Sequence, residues 1–208
     1  DTGSITTTGD STYGIYNDGD DNETTVSGGI TTAGDYAYGI YNDGDINDAG
    51  DSETTVSGGI TTGGDYAYGI INVGDTNKTT ISGSITTTGD SAHAIYNVGD
   101  TNKTTVSGSI VTEGSQAHGI FNYGDNNYTW VYGSITTTGA ASYGIGHDGS
   151  FNATYISGTV KATDPNTAVL YSGNGDGNSF TLNEGATIIG DVLAKDDATN
   201  SKLIFNLG

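Results

Sequence analysis

The side chains in this sequence that could do chemistry are carboxylates, aromatic rings, asparagines and hydroxyls, and each kind returns at a fixed interval. Carboxylates are densest early. Between Asp1 and Asp75 there are fourteen, with no Lys or Arg among them. Asp18, Asp20 and Asp21 crowd one stretch, Asp43, Asp45, Asp48 and Asp51 the next, and Asp20, Asp45, Asp75, Asp100 and Asp125 share one phase. Unit charges one strand apart repel by about 1 kcal/mol in water. A loosely held Ca2+ would relieve that repulsion, since hard cations take carboxylate oxygens. Solvation and turn hydrogen bonds answer it equally well, and the Ca2+-binding nonapeptide GGxGxDxUx is missing.

Aromatic residues form two further series. Tyr13, Tyr38, Tyr68, His93, His118 and Tyr143 occupy one phase, and Tyr16, Tyr41, Tyr96 and Phe121 another three residues later. Such stripes either stabilise a sheet by stacking on neighbouring strands or offer flat apolar area with polar tips to a partner. Tyr128, Trp130 and Tyr132 stand where other repeats carry Glu or Lys, Thr and Ser. By strand alternation all three point outward, which suggests an interface. Asn22, Asn77, Asn102, Asn127 and Asn152 each open an N-x-Thr sequon, exposed to glycosylation if a turn ends after them and turned inward if strand parity holds. Rows such as Ser84/Thr86/Thr88 resemble the TxT faces of ice-binding solenoids, though Ala33, Gly63, Val111 and Glu113 interrupt them. Catalysis has the least support. There is no Arg or Cys, and His147, Asp148 and Glu113 are the only odd polar candidates for such a site.

These residues are positioned by a repeat. Units begin at Gly3, Gly28, Gly58, Gly83, Gly108 and Gly133, five of them 25 residues long and the second longer by five, an insertion placed at 46–50. The regular repeats span 3–157, and two degenerate units fill 158–208. Each unit reads as three short strands, carrying Ile5, Ile30, Ile60, Ile85, Ile110 and Ile135 in the first and Ile15, Ile40, Ile70, Ile95, Ile120 and Ile145 in the second. The third carries Val26, Val56, Ile81, Val106, Val131 and Ile156. Alternation turns these inward and Ser/Thr outward. The expected fold is one all-β domain over 1–208, a right-handed parallel β-helix of about eight coils, on the order of 40 Å long at the usual strand spacing. Asn17, Asn42, Asn72, Asn97 and Asn122, with His147 in the sixth unit, form a polar ladder expected to bond along the rod and to turn backbone. The glycine two residues later suits a turn with positive φ.

Composition narrows the partners. A net charge of −20, with five Lys as the whole basic complement, repels nucleic acid and anionic membranes. No apolar run is long enough to span a membrane. The absence of Cys and of a leader, with a start at Asp1, reads as a mature or excised extracellular chain.

Units such as GGITTAGDYAYGIYN from Gly28, and the less regular tail from Thr181, resemble the passenger domains of bacterial type V autotransporters. That resemblance implies secretion to the bacterial surface, a parallel β-helix, and a role in adhesion, aggregation or stalk formation. The expected function is therefore non-catalytic and structural or adhesive, with a surface protein or glycan of a host or neighbouring cell as partner. End-to-end self-assembly is the alternative, through Ile5 at one end and Leu203, Phe205 and Leu207 at the other, because an open solenoid end is an unpaired strand edge. A glycan-acting enzyme and an ice-binding protein rank lower.

Overall fold

The structure, a computed structural model, describes residues 3–19, 21–44, 52–195 and 197–206. Asp20, Asp45, Asp48, Asp51, Leu207 and the insertion at 46–50 lie outside the described residues.

Short β-branched segments between glycine-rich turns cannot bury an apolar face alone, and here they do so by stacking. Three parallel sheets of eight strands run the length of the rod, each formed by the corresponding strand of successive coils. Pairing is in phase. Ile5 lies opposite Ile30 in the first sheet, Ile95 opposite Ile120 in the second, and Val106 opposite Val131 in the third. The parallel β-solenoid expected from the repeat is thus present, with about eight turns roughly 25 residues apart.

Alternation holds in most of the four-residue strands, with Ile70–Val73 and Ile145–Asp148 among the exceptions, each burying three residues in a row. In Ile95–Val98, Ile95 and Asn97 are buried while Tyr96 and Val98 are partly exposed. Ile30, Ile60, Ile85, Ile110 and Ile135 stack in one interior column, and Ile40, Ile70, Ile95, Ile120 and Ile145 in a second. Each buried side chain of this size contributes about 1.5–3 kcal/mol relative to exposure. A one-residue slip would turn every inward column outward, exchanging Ile95 and Asn97 for Tyr96 and Val98, so the pairing has one register.

The corner between the third and first strands needs glycine. A Cβ on Gly108 would collide with the carbonyl oxygen of Gly83 one coil away, and the same holds for Gly58 against Gly28 and Gly133 against Gly108. By contrast, the column of Gly69, Gly119 and Gly144 already contains an alanine, Ala94, fully buried.

Two substitutions test this arrangement by thermal melting. Gly108→Ala should destabilise by about 3 kcal/mol, the cost of overpacking against rigid backbone, and Gly119→Ala by clearly less. Ile95→Asp should cost about 3–5 kcal/mol, since it buries a charge with no partner. A melting curve unchanged in Ile95→Asp would exclude the register.

Candidate binding surfaces

The strands fix which groups face outward, and the coil stacking decides what those groups can still do. The first aromatic series forms an axial ladder on the outer surface. Ring centroids are 5.4 Å apart at Tyr13–Tyr38, 5.1 Å at Tyr38–Tyr68, 5.2 Å at Tyr68–His93 and 4.6 Å at both His93–His118 and His118–Tyr143, all stacked. Tyr171, in a coil whose sequence hides the repeat, extends it at 4.0 Å. The second series packs beside the first, with Tyr13–Tyr16 at 5.5 Å and His118–Phe121 at 4.9 Å. It is broken by Ile71, which is buried, and by Gly146, where the Phe121 ring fills the space a Cβ would take, and Tyr171, which pairs with Gly146, turns its ring onto Tyr143 of the first series. In the ladder, Tyr13, Tyr38, Tyr68 and Tyr143 turn their ring faces to one another, so edges and polar tips remain for a partner. Burial, with the Tyr38 phenol beside it, pushes the Tyr68 phenol up to about 12.

Both ladder histidines are held neutral. Nδ1 of His93 accepts the amide N–H of His118 at 3.0 Å, and Nδ1 of His118 accepts that of Tyr143 at 2.9 Å. The ring proton is therefore on Nε2 in each. Burial lowers His93 to about 4, and burial with the adjacent His93 lowers His118 to about 2. His147, the third histidine, is interior. It ends the asparagine ladder, with Nδ1 3.1 Å from Asn122 Nδ2 and Nε2 2.9 Å from Thr154 Oγ1, and burial lowers it to about 3.

That ladder runs inside the solenoid. Asn17, Asn42, Asn72 and Asn97 each donate through Nδ2 to Oδ1 of the next, at 2.6–2.7 Å. The same Nδ2 groups donate within their own coil to Thr24, Thr54, Thr79 and Thr104. The expected turn-backbone partner is thus replaced by a threonine across the core. Positive φ is found at Gly19, Gly74, Gly99, Gly124 and Gly149, as the turn requires.

The sequon asparagines form a second interior column. Asn77, Asn102, Asn127 and Asn152 are buried, and Asn22 is half-buried. Oδ1 of Asn102, Asn127 and Asn152 accepts the amide N–H of the asparagine one coil earlier at 2.8 Å. Nδ2 of Asn22, Asn77, Asn127 and Asn152 donates to a turn glycine carbonyl. Of the two directions open to these side chains the inward one of strand parity is found at Asn77, Asn102, Asn127 and Asn152, which leaves them unexposed in the folded chain. Asn102 Nδ2 is buried without a partner, while its neighbours Asn77 and Asn127 donate to Gly74 O and Gly99 O.

Carboxylates in the turns act as staples. Asp75 Oδ1 accepts the amide of Asp100, Asp100 that of Asp125, and Asp125 that of Ser150, at 2.6–2.7 Å. Asp10, Asp35, Asp65 and Asp90 make a second staircase of the same kind. Each precedes or lies next to a residue in left-handed backbone, such as Tyr36 at φ 54° or Thr101 at φ 57°. The staple helps offset that strain of about 1 kcal/mol or more. Of the carboxylates considered for Ca2+, Asp18 and Asp21 are exposed, and Asp43 meets the Tyr16 hydroxyl at 3.4 Å. Among the described residues no group of three or more His, Asp or Glu is gathered as a metal would need.

The clearest departure from the repeat is on the third sheet. In Tyr128–Val131, Thr129 and Val131 are buried while Tyr128 and Trp130 face out, and Tyr132 beyond them is 58% exposed. Tyr128 and Trp130 have parallel rings 6.0 Å apart, and Trp130 stands 6.0 Å from Tyr155 of the next coil. Sequence reading missed Tyr155, and also the Tyr36–Tyr66 pair stacked at 5.0 Å, whose shared phase was the available signal. Ser84, Thr86 and Thr88 do face outward on the first sheet, in register with Ser109, Val111 and Glu113. No protein-family model, no curated protein and no solved structure matches the chain.

The histidines make stability depend on pH. Unfolded imidazoles take up protons near 6.5 and the folded ones only at about 4 or below. Stability contributed by the neutral imidazoles is complete above 6.5 and is lost as pH falls below it. Urea midpoints should be flat from pH 8 to 6.5 and then decline. His93→Tyr with His118→Tyr, which copies neighbouring coils, should make the decline between 6.5 and 5 shallower, and identical slopes would refute the assignment.

Proposed function

We propose that this chain is a non-catalytic, extracellular structural and adhesive rod, which docks a protein or glycan of another cell surface through its side. The observation that carries the reading is the cluster Tyr128, Trp130, Tyr132 and Tyr155. Rings on a strand bonded to neighbours on both sides are held in place before a partner arrives, so little ordering entropy opposes docking. Tyr and Trp present large amphipathic area, the chemistry that dominates interface energetics. The finer affiliation, a stalk segment of a type V autotransporter passenger on a bacterial surface, is supported by the resemblance of the G-x-I-x-T-x-G units. The acid surface, with its charge of −20, favours solubility and disfavours nucleic acid and anionic lipid.

Restoring the repeat pattern gives the test. Tyr128→Lys, Trp130→Thr and Tyr132→Ser together should leave the melting temperature within a few degrees and reduce attachment of protein-coated beads to cells severalfold. Full attachment by that variant would remove the cluster as the docking site.

A second reading, end-to-end assembly of copies, has its own observation. The first coil leaves a hollow of about 290 Å3 lined by Ile5, Ile15, Val26 and Ile30. At the other end Leu203 and Phe205 lie in register with the buried Phe180 and Leu182, yet are 40% and 62% exposed. A coil stacked on either end would cover these side chains, whether a continuation of the same chain or a second copy supplies it, and the second reading takes the second copy. Sedimentation velocity should then show growth with concentration that Leu203→Lys with Phe205→Lys abolishes. A monomer at all concentrations would rule out the filament.

A further inference from the structure

Beside the aromatic ladder, and apart from the Trp130 cluster, runs a trough of about 370 Å3. Its floor is the ring edges of Tyr68, His93, His118 and Tyr143, and one side is formed by Ser91, Gln116 and Ala141, with Tyr66 at the end. Two coincident changes along the rod frame it, the first at a turn position that the first coil fills with Ser11. In the second and third coils the left-handed turn position carries Tyr36 and Tyr66, which stack on each other at 5.0 Å. In the next three coils that position shrinks to Ser91, Gln116 and Ala141 and the space opens. In the first two of these the ladder residue changes from Tyr to His.

The chemistry of the floor follows from bonds already made. The floor rings stack at 5.2, 4.6 and 4.6 Å, with Tyr38 and Tyr171 beyond them, so no floor ring has a free face, and the one open face in the trough is that of Tyr66 at its end. Each imidazole Nδ1 is occupied by a backbone amide, which leaves Nε2–H as a donor on the distal edge. Two such donors follow one another at coil pitch, between the phenols of Tyr68 and Tyr143, along roughly 15 Å parallel to the rod. Ser91 and Gln116 add groups that both donate and accept. Anions are disfavoured, because Asp65 and Asp90 are exposed in the adjoining turn and the chain carries −20.

We propose that this trough binds a neutral, unbranched glycan lying along the rod axis, with Nε2–H of His93 and His118 donating to its hydroxyl oxygens. A hydroxyl-rich polymer matches a row of fixed donors flanked by groups of both kinds, and an extended chain matches a trough that crosses four coils without a bend. The assignment rests on the adhesive reading, for which it names a ligand class.

Calorimetric titration of the whole chain with neutral β-1,4-linked hexamers of glucose, mannose and xylose, and with a galacturonate hexamer, is the test. At least one neutral hexamer should bind with millimolar affinity or better, and the acidic hexamer should not. Ser91→Tyr with Gln116→Tyr fills the trough with the side chain that Tyr36 and Tyr66 already place at this position, at φ 54° and 55°. That variant should melt as the parent does and bind at least about tenfold more weakly, about 1.4 kcal/mol. Equal binding by the filled variant, equal binding of galacturonate, or no heat with any neutral hexamer would overturn the proposal. A parent chain that attaches to cells but takes up none of these hexamers overturns the trough alone and leaves the adhesive reading standing.

Discussion

Parallel hydrogen bonding between successive coils, in phase and in one register, is the interaction on which everything else in this molecule depends. A single coil has four-residue strands and no partner for their backbone groups, and its three apolar faces enclose too little to form a core. Once a second coil stacks at the strand spacing, Ile meets Ile, Asn meets Asn, and each turn amide meets a carboxylate of its neighbour. The demand for close approach then acts back on the sequence, since at the corner of Gly83, Gly108 and Gly133 even a methyl group would strike the next backbone.

The interior polar columns follow from that register. A buried amide is costly unless its groups are bonded. Here Asn42, Asn72 and Asn97 each find an acceptor in the next coil and a second within their own. His147 ends the series because its ring has one acceptor for Asn122 and one donor for Thr154, so it closes the column on a side chain and stacks on Phe180 at 4.8 Å. Such columns bind neighbouring coils together along the axis, whereas the Ile columns favour only burial and have no direction.

Outside, the same stacking makes regular residues satisfy one another. Rings in phase lie face to face, and Asp75, Asp100 and Asp125 are each engaged by an amide of the following coil. What remains for a partner is where the repeat is broken. Trp130 and Tyr132 replace Thr and Ser on an otherwise polar sheet face, and Ser91 and Gln116 replace the wall begun by Tyr36 and Tyr66. In a repeat built this way the pattern itself carries the fold, and departures from it are where surface side chains lack a neighbour of their own kind.

Much was legible from one sequence because periodicity specifies neighbours. A residue 25 positions on must sit one coil away, so the Ile columns, the Asn17 ladder, the aromatic stripes and the outward direction of Trp130 could all be read from spacing and alternation. Spacing does not say how a side chain meets groups elsewhere in its own coil or which of its atoms are used. Only the folded coil brings Thr104 to Asn97 and decides between the two directions that the sequence left open to Asn102 and Asn127. It also determines that the Tyr68–His93–His118–Tyr143 ladder offers edges instead of faces. The physical reason is that repeat spacing sets distances along the axis, while the path of the chain around each turn, which decides burial and hydrogen-bond partners across the coil, depends on backbone geometry that the spacing does not contain.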